Sequence, residues 1–265
     1  MKSIKQINRV IIFTILMAFT LLSARSEDLR KYYPLDDGNT WTYQFRAFQP
    51  DGQIKYSIKK YTVTGDLELE NGQIVKKLED QKGWYYLLTV DKDRYLHWGE
   101  HENRGLVTND PPFSFYNTGF TYGKEYAFAH AISDGSARGT KVVFNGYESI
   151  RTAAGEFKNC LKSTFTYINP NGSTFESITW LAKGVGVVKK EFSIFSPKAG
   201  QTLRFDRELI HATVHGKKIG GKNAPTVDNW KDYFPFFQGD SWTYDWTYTL
   251  GNGITKTEDR KREYL

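Results

Sequence analysis

The sequence predicts an all-β fold: an antiparallel meander forming a curved sheet, a half-open barrel or a barrel, followed by a linker and the start of a repeated β module. Three observations carry this. Period-two alternation recurs along the chain, as in Trp41, Tyr43, Phe45 and Ala47 against Thr42, Gln44 and Arg46. Turn chemistry separates the alternating runs at Pro50-Asp51-Gly52, Asn71-Gly72, Asp134-Gly135, Pro170-Asn171-Gly172 and Gly251-Asn252-Gly253. Gly takes positive φ there without a steric penalty and Asn or Asp tolerates it, so successive hairpins are expected. Helical periodicity is scarce once the first 26 residues are passed.

Those residues, 1–26, read as a secretory signal peptide. Lys2, Lys5 and Arg9 precede the apolar run Val10 to Leu22, and Ser23-Ala24-Arg25-Ser26 follows with small residues where a signal peptidase reads. The run is shorter than the ~20 apolar residues of a spanning helix. Export to the periplasm or the extracellular space is expected, with cleavage near Ser26 and membrane contact only through the signal before cleavage. No Cys stands near that site to take a lipid. The formal net charge is +6, and the leader's Lys2, Lys5, Arg9 and Arg25, with no acid among them, supply most of it. The basic balance therefore gives no support for nucleic-acid binding.

Residues 27–216 are expected to form the β domain, with strands near 40–49, 54–64, 73–79, 84–90, 94–98, 125–132, 140–149, 158–168, 174–182, 185–195 and 201–214. Between them, 99–123 reads as a long excursion around Pro111-Pro112. Over 125–132, Tyr126, Phe128, His130 and Ile132 share one face and Ala127, Ala129 and Ala131 the other, a bare face suited to a close-packed neighbour or to a ligand groove. Gly216, Gly220, Gly221 and Pro225 among lysines mark a linker over 217–231. Residues 232–265 then repeat the domain's opening. Tyr33, Pro34, Gly38, Trp41 and Phe45 answer to Phe234, Pro235, Gly239, Trp242 and Trp246 at a constant offset of 201. The chain ends before such a second copy could complete a sheet, so self-association through 233–265 or docking on the first domain is expected to cover its aromatic residues.

Candidate chemistry is sparse. The single cysteine, Cys160, cannot form an internal disulfide and reads as a buried small hydrophobe rather than a reactive thiol. His97 and His101, and likewise His211 and His215, are four apart, which suits a shared metal on a helix but not on a strand. Glu100 and Glu102 beside them do not alter this, and Asp36-Asp37 and Asp91/Asp93 read as turn acids. No nucleophile elbow, phosphate loop or dinucleotide fingerprint occurs. No catalytic, cofactor-binding or metal-binding residue is expected, and no cofactor.

Three segments resemble a family of uncharacterised exported bacterial proteins sometimes labelled TapB-like. They run from Tyr33 to Tyr43, from Ala154 to Leu161, and from Thr179 to Lys189, spaced so as to cover most of 32–195. The chain departs from the family pattern at Ala153 or Ala154 and at Lys183, where Pro is usual. The resemblance implies an exported all-β envelope domain and brings no activity. Read physically, its residues are architectural: Gly155 and Phe157 turn one strand into the next, Gly184 and Gly186 bend the chain between strands, and Trp41, Trp180 and, in the second copy, Trp242 anchor the packing. The expected function is that of a non-catalytic envelope protein binding or carrying a hydrophobic small molecule or lipid, or scaffolding other envelope components. The alternatives are a secreted hydrolase of glycans or esters, suggested by the many aromatic residues and scattered carboxylates, and a structural or adhesive module.

Overall fold

Alternation along a strand commits one face to the interior, and here a dozen consecutive strands make the same choice and close on themselves. In the computed structural model the described residues are 28–220, except 103, 104, 134, 136 and 170, together with 241–249 and 255–263. The segment read as a signal peptide, most of the expected linker and the aromatic run at 233–237 lie outside them. The strands are β1 (Thr40–Phe48), β2 (Ile54–Glu68), β3 (Ile74–Asp80), β4 (Tyr85–Val90), β5 (Arg94–Glu102) and β6 (Gly105–Asn117), then β7 (Glu125–Ile132), β8 (Ala137–Thr152), β9 (Gly155–Ile168), β10 (Thr174–Ala182), β11 (Gly186–Ser196), β12 (Gln201–Val214) and β13 (Lys217–Ile219). Each pairs antiparallel with the next, and β12 returns to β1 from Thr40↔Thr213 to Phe48↔Arg204. The result is a closed up-and-down barrel of twelve strands with β13 added beside β12, which satisfies the backbone groups an open sheet would leave at its edges.

The structure differs from three expectations. The excursion at 99–123 is mostly strand: β5 runs on to Glu102 and β6 occupies 105–117, leaving 118–124 as the connection. Proline marks the place where lateral pairing stops. The β6–β7 ladder has two pairs, Asn109↔Ile132 and Asp110↔Ala131, extended by Ser133 N–H to the Thr108 carbonyl, and it stops at Pro111 and Pro112, which have no amide hydrogen to continue it. Pairing with β5 survives past them, at His97↔Phe113 and Leu96↔Ser114. Within the expected linker, Lys217–Ile219 belong to the sheet, with Ala212 paired to Ile219. The bare face of β7 is neither close-packed nor a groove, since Ala127, Ala129 and Ala131 are exposed.

One end of the barrel is closed. Residues 28–39, containing the short 3-10 turn Leu29–Lys31, lie across it, tied down by Leu29 N–H to the Lys92 carbonyl and by Gly184 N–H to the Lys31 carbonyl. Leu29, Tyr32, Tyr33, Trp41 and Val185 are buried together there. The turn between β8 and β9 folds over the same end, where Ala154 donates its amide to the Leu209 carbonyl. Farther along, Phe113 and Phe115 of β6 reach across to Phe165 of β9 at ring separations of 5.7 and 4.7 Å, so the barrel is flattened there.

The C-terminal strands β14 (Ser241–Thr249) and β15 (Thr255–Glu263) form a separate two-stranded sheet. β14 spans the same positions relative to Trp242 as β1 does relative to Trp41. Its pairing with β15, from Ser241↔Glu263 to Thr249↔Thr255, matches that of β1 with β2, from Thr40↔Thr62 to Phe48↔Ile54.

Candidate functional site

Inward positions of β1 to β6 and β8 to β12 surround a cavity of about 350 Å³ between the closed end and the turns that join β9 to β10 and β11 to β12. Ile194, 37 % exposed, lines it and marks where it reaches solvent. Its walls are rings: Phe45, Tyr61, Tyr86, Phe113, Phe115, Phe165, Tyr167, Phe175 and Phe192. Tyr33 and Tyr95, packed edge to face at 5.1 Å, form the floor. Burial holds the Tyr33 phenol up at about 12 and Tyr43 and Tyr95 well above the ordinary range, so all three stay neutral.

Charged groups enter this aromatic lining. Lys59, Arg138, Lys190 and Arg207 line it, with Glu100 as the one carboxylate among the described residues that do so. Lys190 and Arg207 are half-buried and line the cavity, with Arg207 Nε out of reach of solvent. Desolvation lowers the Lys190 ammonium to about 7, with the Arg207 charge adding to the shift and Glu100 opposing it. His97 is buried among Tyr86, Phe113 and Phe115; desolvation first, then the charges of Lys190 and Arg138, lower it to about 3, so it is neutral at ordinary pH.

The motif residues lie elsewhere. Trp41 donates its indole N–H to the Val185 carbonyl, and Gly186 packs against it with φ +105°; a Cβ on Gly186 would stand 2.9 Å from Tyr33 Cδ2. Gly184, also at positive φ, completes that turn, and Gly155 (φ 135°) opens β9 at the same closed end, where Phe157 packs against the core. Trp180 is buried on the outer face, beneath the amines of Lys162 and Lys189 at 5.1 and 5.3 Å, and donates to Glu148. The position of Trp242 on β14 is described, its side chain is not. None of these residues lines the cavity.

The histidine pairs do not converge. His97 faces inward in phase with Tyr95, and the bulge between His97 and Gly99 shifts the strand so that Glu100 follows it inside while His101 stacks on Tyr85 at 4.9 Å. His215 pairs with Asp36 at 2.6 Å, and His211 is half-buried on β12. Among the described residues no cluster of three or more His, Cys, Asp or Glu could hold a metal. Asp37 pairs with Lys76, and Asp91 accepts from the Asp93 and Arg94 amides, as turn acids do. Cys160 is fully buried, with its thiol pushed up to about 11 by desolvation.

Lys59, Glu100, Arg138, Lys190 and Arg207 were not candidates in the sequence. A signal was present for two of them: Lys190 shares its strand face with Val188 and Phe192, and Arg207 shares its own with Phe205 and Leu209. A cation in phase with core residues is the mark to look for.

No family model matches the chain, so the TapB-like resemblance finds no match there, and no curated relative matches. Solved structures similar to it include a protein of Parabacteroides distasonis named as a lipoprotein, at 16 % identity and TM-score 0.39 over 67 % of this chain and 96 % of that one. Another is a protein of Bacteroides fragilis named as exported with a YmcC-like fold, at 15 % identity and TM-score 0.39 over 67 % and 96 %. A third is the hypothetical lipoprotein YmcC of Escherichia coli, at 12 % identity and TM-score 0.35 over 74 % and 93 %. At scores this low the likeness carries no functional argument, which must come from the barrel's own lining.

Proposed function

We propose that the protein is an exported, non-catalytic barrel of the cell envelope that binds a hydrophobic small molecule or lipid in its interior. The observation that carries this reading is the ring-walled cavity of about 350 Å³, a size within the ~300–1,000 Å³ of small-molecule sites. Offset rings present an apolar wall that need not deform to accept an apolar chain or ring. Export rests on the leader sequence. For the hydrolase alternative the lining is poorly furnished: glycoside hydrolysis ordinarily uses two carboxylates, and Glu100 stands alone among the described lining residues, with no Ser, Thr or Cys beside it to act as nucleophile.

Native mass spectrometry of protein purified without denaturant is the direct test. A bound apolar molecule at one per chain is expected, released on unfolding. A barrel that is empty in every preparation and also fails to enhance the fluorescence of an added hydrophobic probe would overturn the reading.

A further inference from the structure

The outer and inner faces of the β11–β12 ladder obey opposite charge rules. Outside, Lys189 is paired with Glu208 and lies 2.8 Å from Glu191, and Asp206 and Glu208 hold Arg46 at 2.7 and 2.8 Å. The like-charged pair on that face, Glu191↔Asp206, is answered on both sides, Glu191 by Lys189 and Asp206 by Arg46. Inside, Lys190 is paired directly with Arg207. Two cations side by side on a strand pair repel, and here they do so away from bulk water, where screening is weakest.

Ring faces offset part of that cost. Arg207 lies 4.9 Å from the Tyr43 ring and 5.8 Å from Tyr61; Lys190 lies 5.2 Å from Phe175. The offset is incomplete, because Arg207 Nε is buried with no hydrogen-bond partner among the described residues. The acids on either side of it in sequence point outward to Arg46 and cannot turn in. Glu100 faces the same space, but so do Lys59 and Arg138, and the balance stays positive.

We propose that the cavity is built for an amphipathic anion, its carboxylate or phosphate head held by Arg207 and Lys190 and its apolar body packed among Phe115, Phe165, Phe175 and Phe192. This rests on the reading of the barrel as a ligand binder and adds the charge of the ligand. A guanidinium fork and an adjacent ammonium form charge-assisted bonds to one anionic head, and that head cancels the repulsion of the pair. Without a ligand the pair is relieved as Lys190, drawn down to about 7, gives up its proton; an anionic head lets both stay charged.

The test compares cis-parinaric acid with its methyl ester, two fluorescent probes of one chain that differ in head charge, on the full-length protein. The acid is expected to bind at least about tenfold more tightly, a preference of one charge-assisted contact or more. Arg207→Met and Lys190→Met are each expected to bring the acid within about threefold of the ester measured on the same variant, well under the tenfold that marks 1.4 kcal/mol. Equal binding of acid and ester by the wild-type protein overturns the anion proposal and leaves the binder reading standing; that comparison needs no variant to fold. Binding of neither probe overturns both. Competition by dodecanoate and by dodecyl phosphate separates the two sources of the anion. Displacement by either at lower concentration than by dodecanol supports the proposal, and displacement by dodecanol at the same concentration as both overturns it.

Discussion

His97 shows how a single side chain on this fold acquires a property its sequence neighbours do not suggest. Four residues from His101, it could be mistaken for half of a metal site. Alternation instead places it inside with Tyr95, the bulge before Gly99 keeps His101 off that face, and desolvation and the charges of Lys190 and Arg138 hold it at about 3, against an ordinary 6.5. Folded His97 thus refuses a proton that the unfolded chain accepts between those two values. Stability is full above pH 6.5 and is lost as pH falls towards 3. A His97→Phe variant, which keeps a ring in the pocket, is expected to flatten the fall in melting temperature between pH 6.5 and 4; an unchanged slope in that window would show that His97 does not carry it. Gly186 is the counterpart on the architectural side. Positive φ and a Tyr33 ring 2.9 Å from where a Cβ would stand explain why the residue is Gly.

At the scale of elements, the weak place in the barrel is the seam between β6 and β7. Two ladder pairs hold it, flanked by Ser133 N–H to the Thr108 carbonyl and by the His130 ring on the Pro111 carbonyl, and beyond Pro111 the ladder stops. β7 from Glu125 to Ala129 is paired to β8 alone, with Phe128 and the alanines exposed. Closure removes edges elsewhere, so this stretch is where the barrel opens most readily. Amide hydrogen exchange is expected to run faster by about a hundredfold, or roughly 2.7 kcal/mol in opening free energy, for the residues of 125–129 whose N–H groups point away from β8 than for the centre of β9. Equal protection of the two would mean that another element covers the seam. The same reasoning explains the expectation of a long loop at 99–123. Pro-Pro and the surrounding Asn and Gly suppress strand propensity, but propensity is a preference of the isolated segment. Pairing with β5 and the burial of Phe113 outweigh it.

For the whole molecule, closure of β12 on β1 makes residues 28–220 a complete sheet before the C-terminal hairpin is reached. A chain ending at Gly220, which retains β13, is expected to unfold cooperatively with a melting temperature within about 2 °C of the full-length chain, the shift of a fraction of a kcal/mol for this size. Loss of a cooperative transition would show instead that 221–265 complete the core. Ending at Gly216 would be a poorer test, since it removes β13 from its pairing with β12.

The sequence by itself determined the all-β class, the meander and most strand positions, because period-two burial and Gly-rich turns are local properties that each hairpin expresses within a few residues. It also marked Trp41, Gly155, Gly184 and Gly186 as architectural, since Gly at a turn and Trp in an alternating run have local meanings. Only the tertiary structure decided that the meander closes, because β1–β12 pairing joins segments far apart in the chain and depends on the accumulated twist and stagger of all twelve strands. The cavity was decided at the same level. Lys190 and Arg207 stand out in the sequence only as cations in phase with core residues; closure assigns that face to the inside, and pairing across β11 and β12 sets the two side by side among rings.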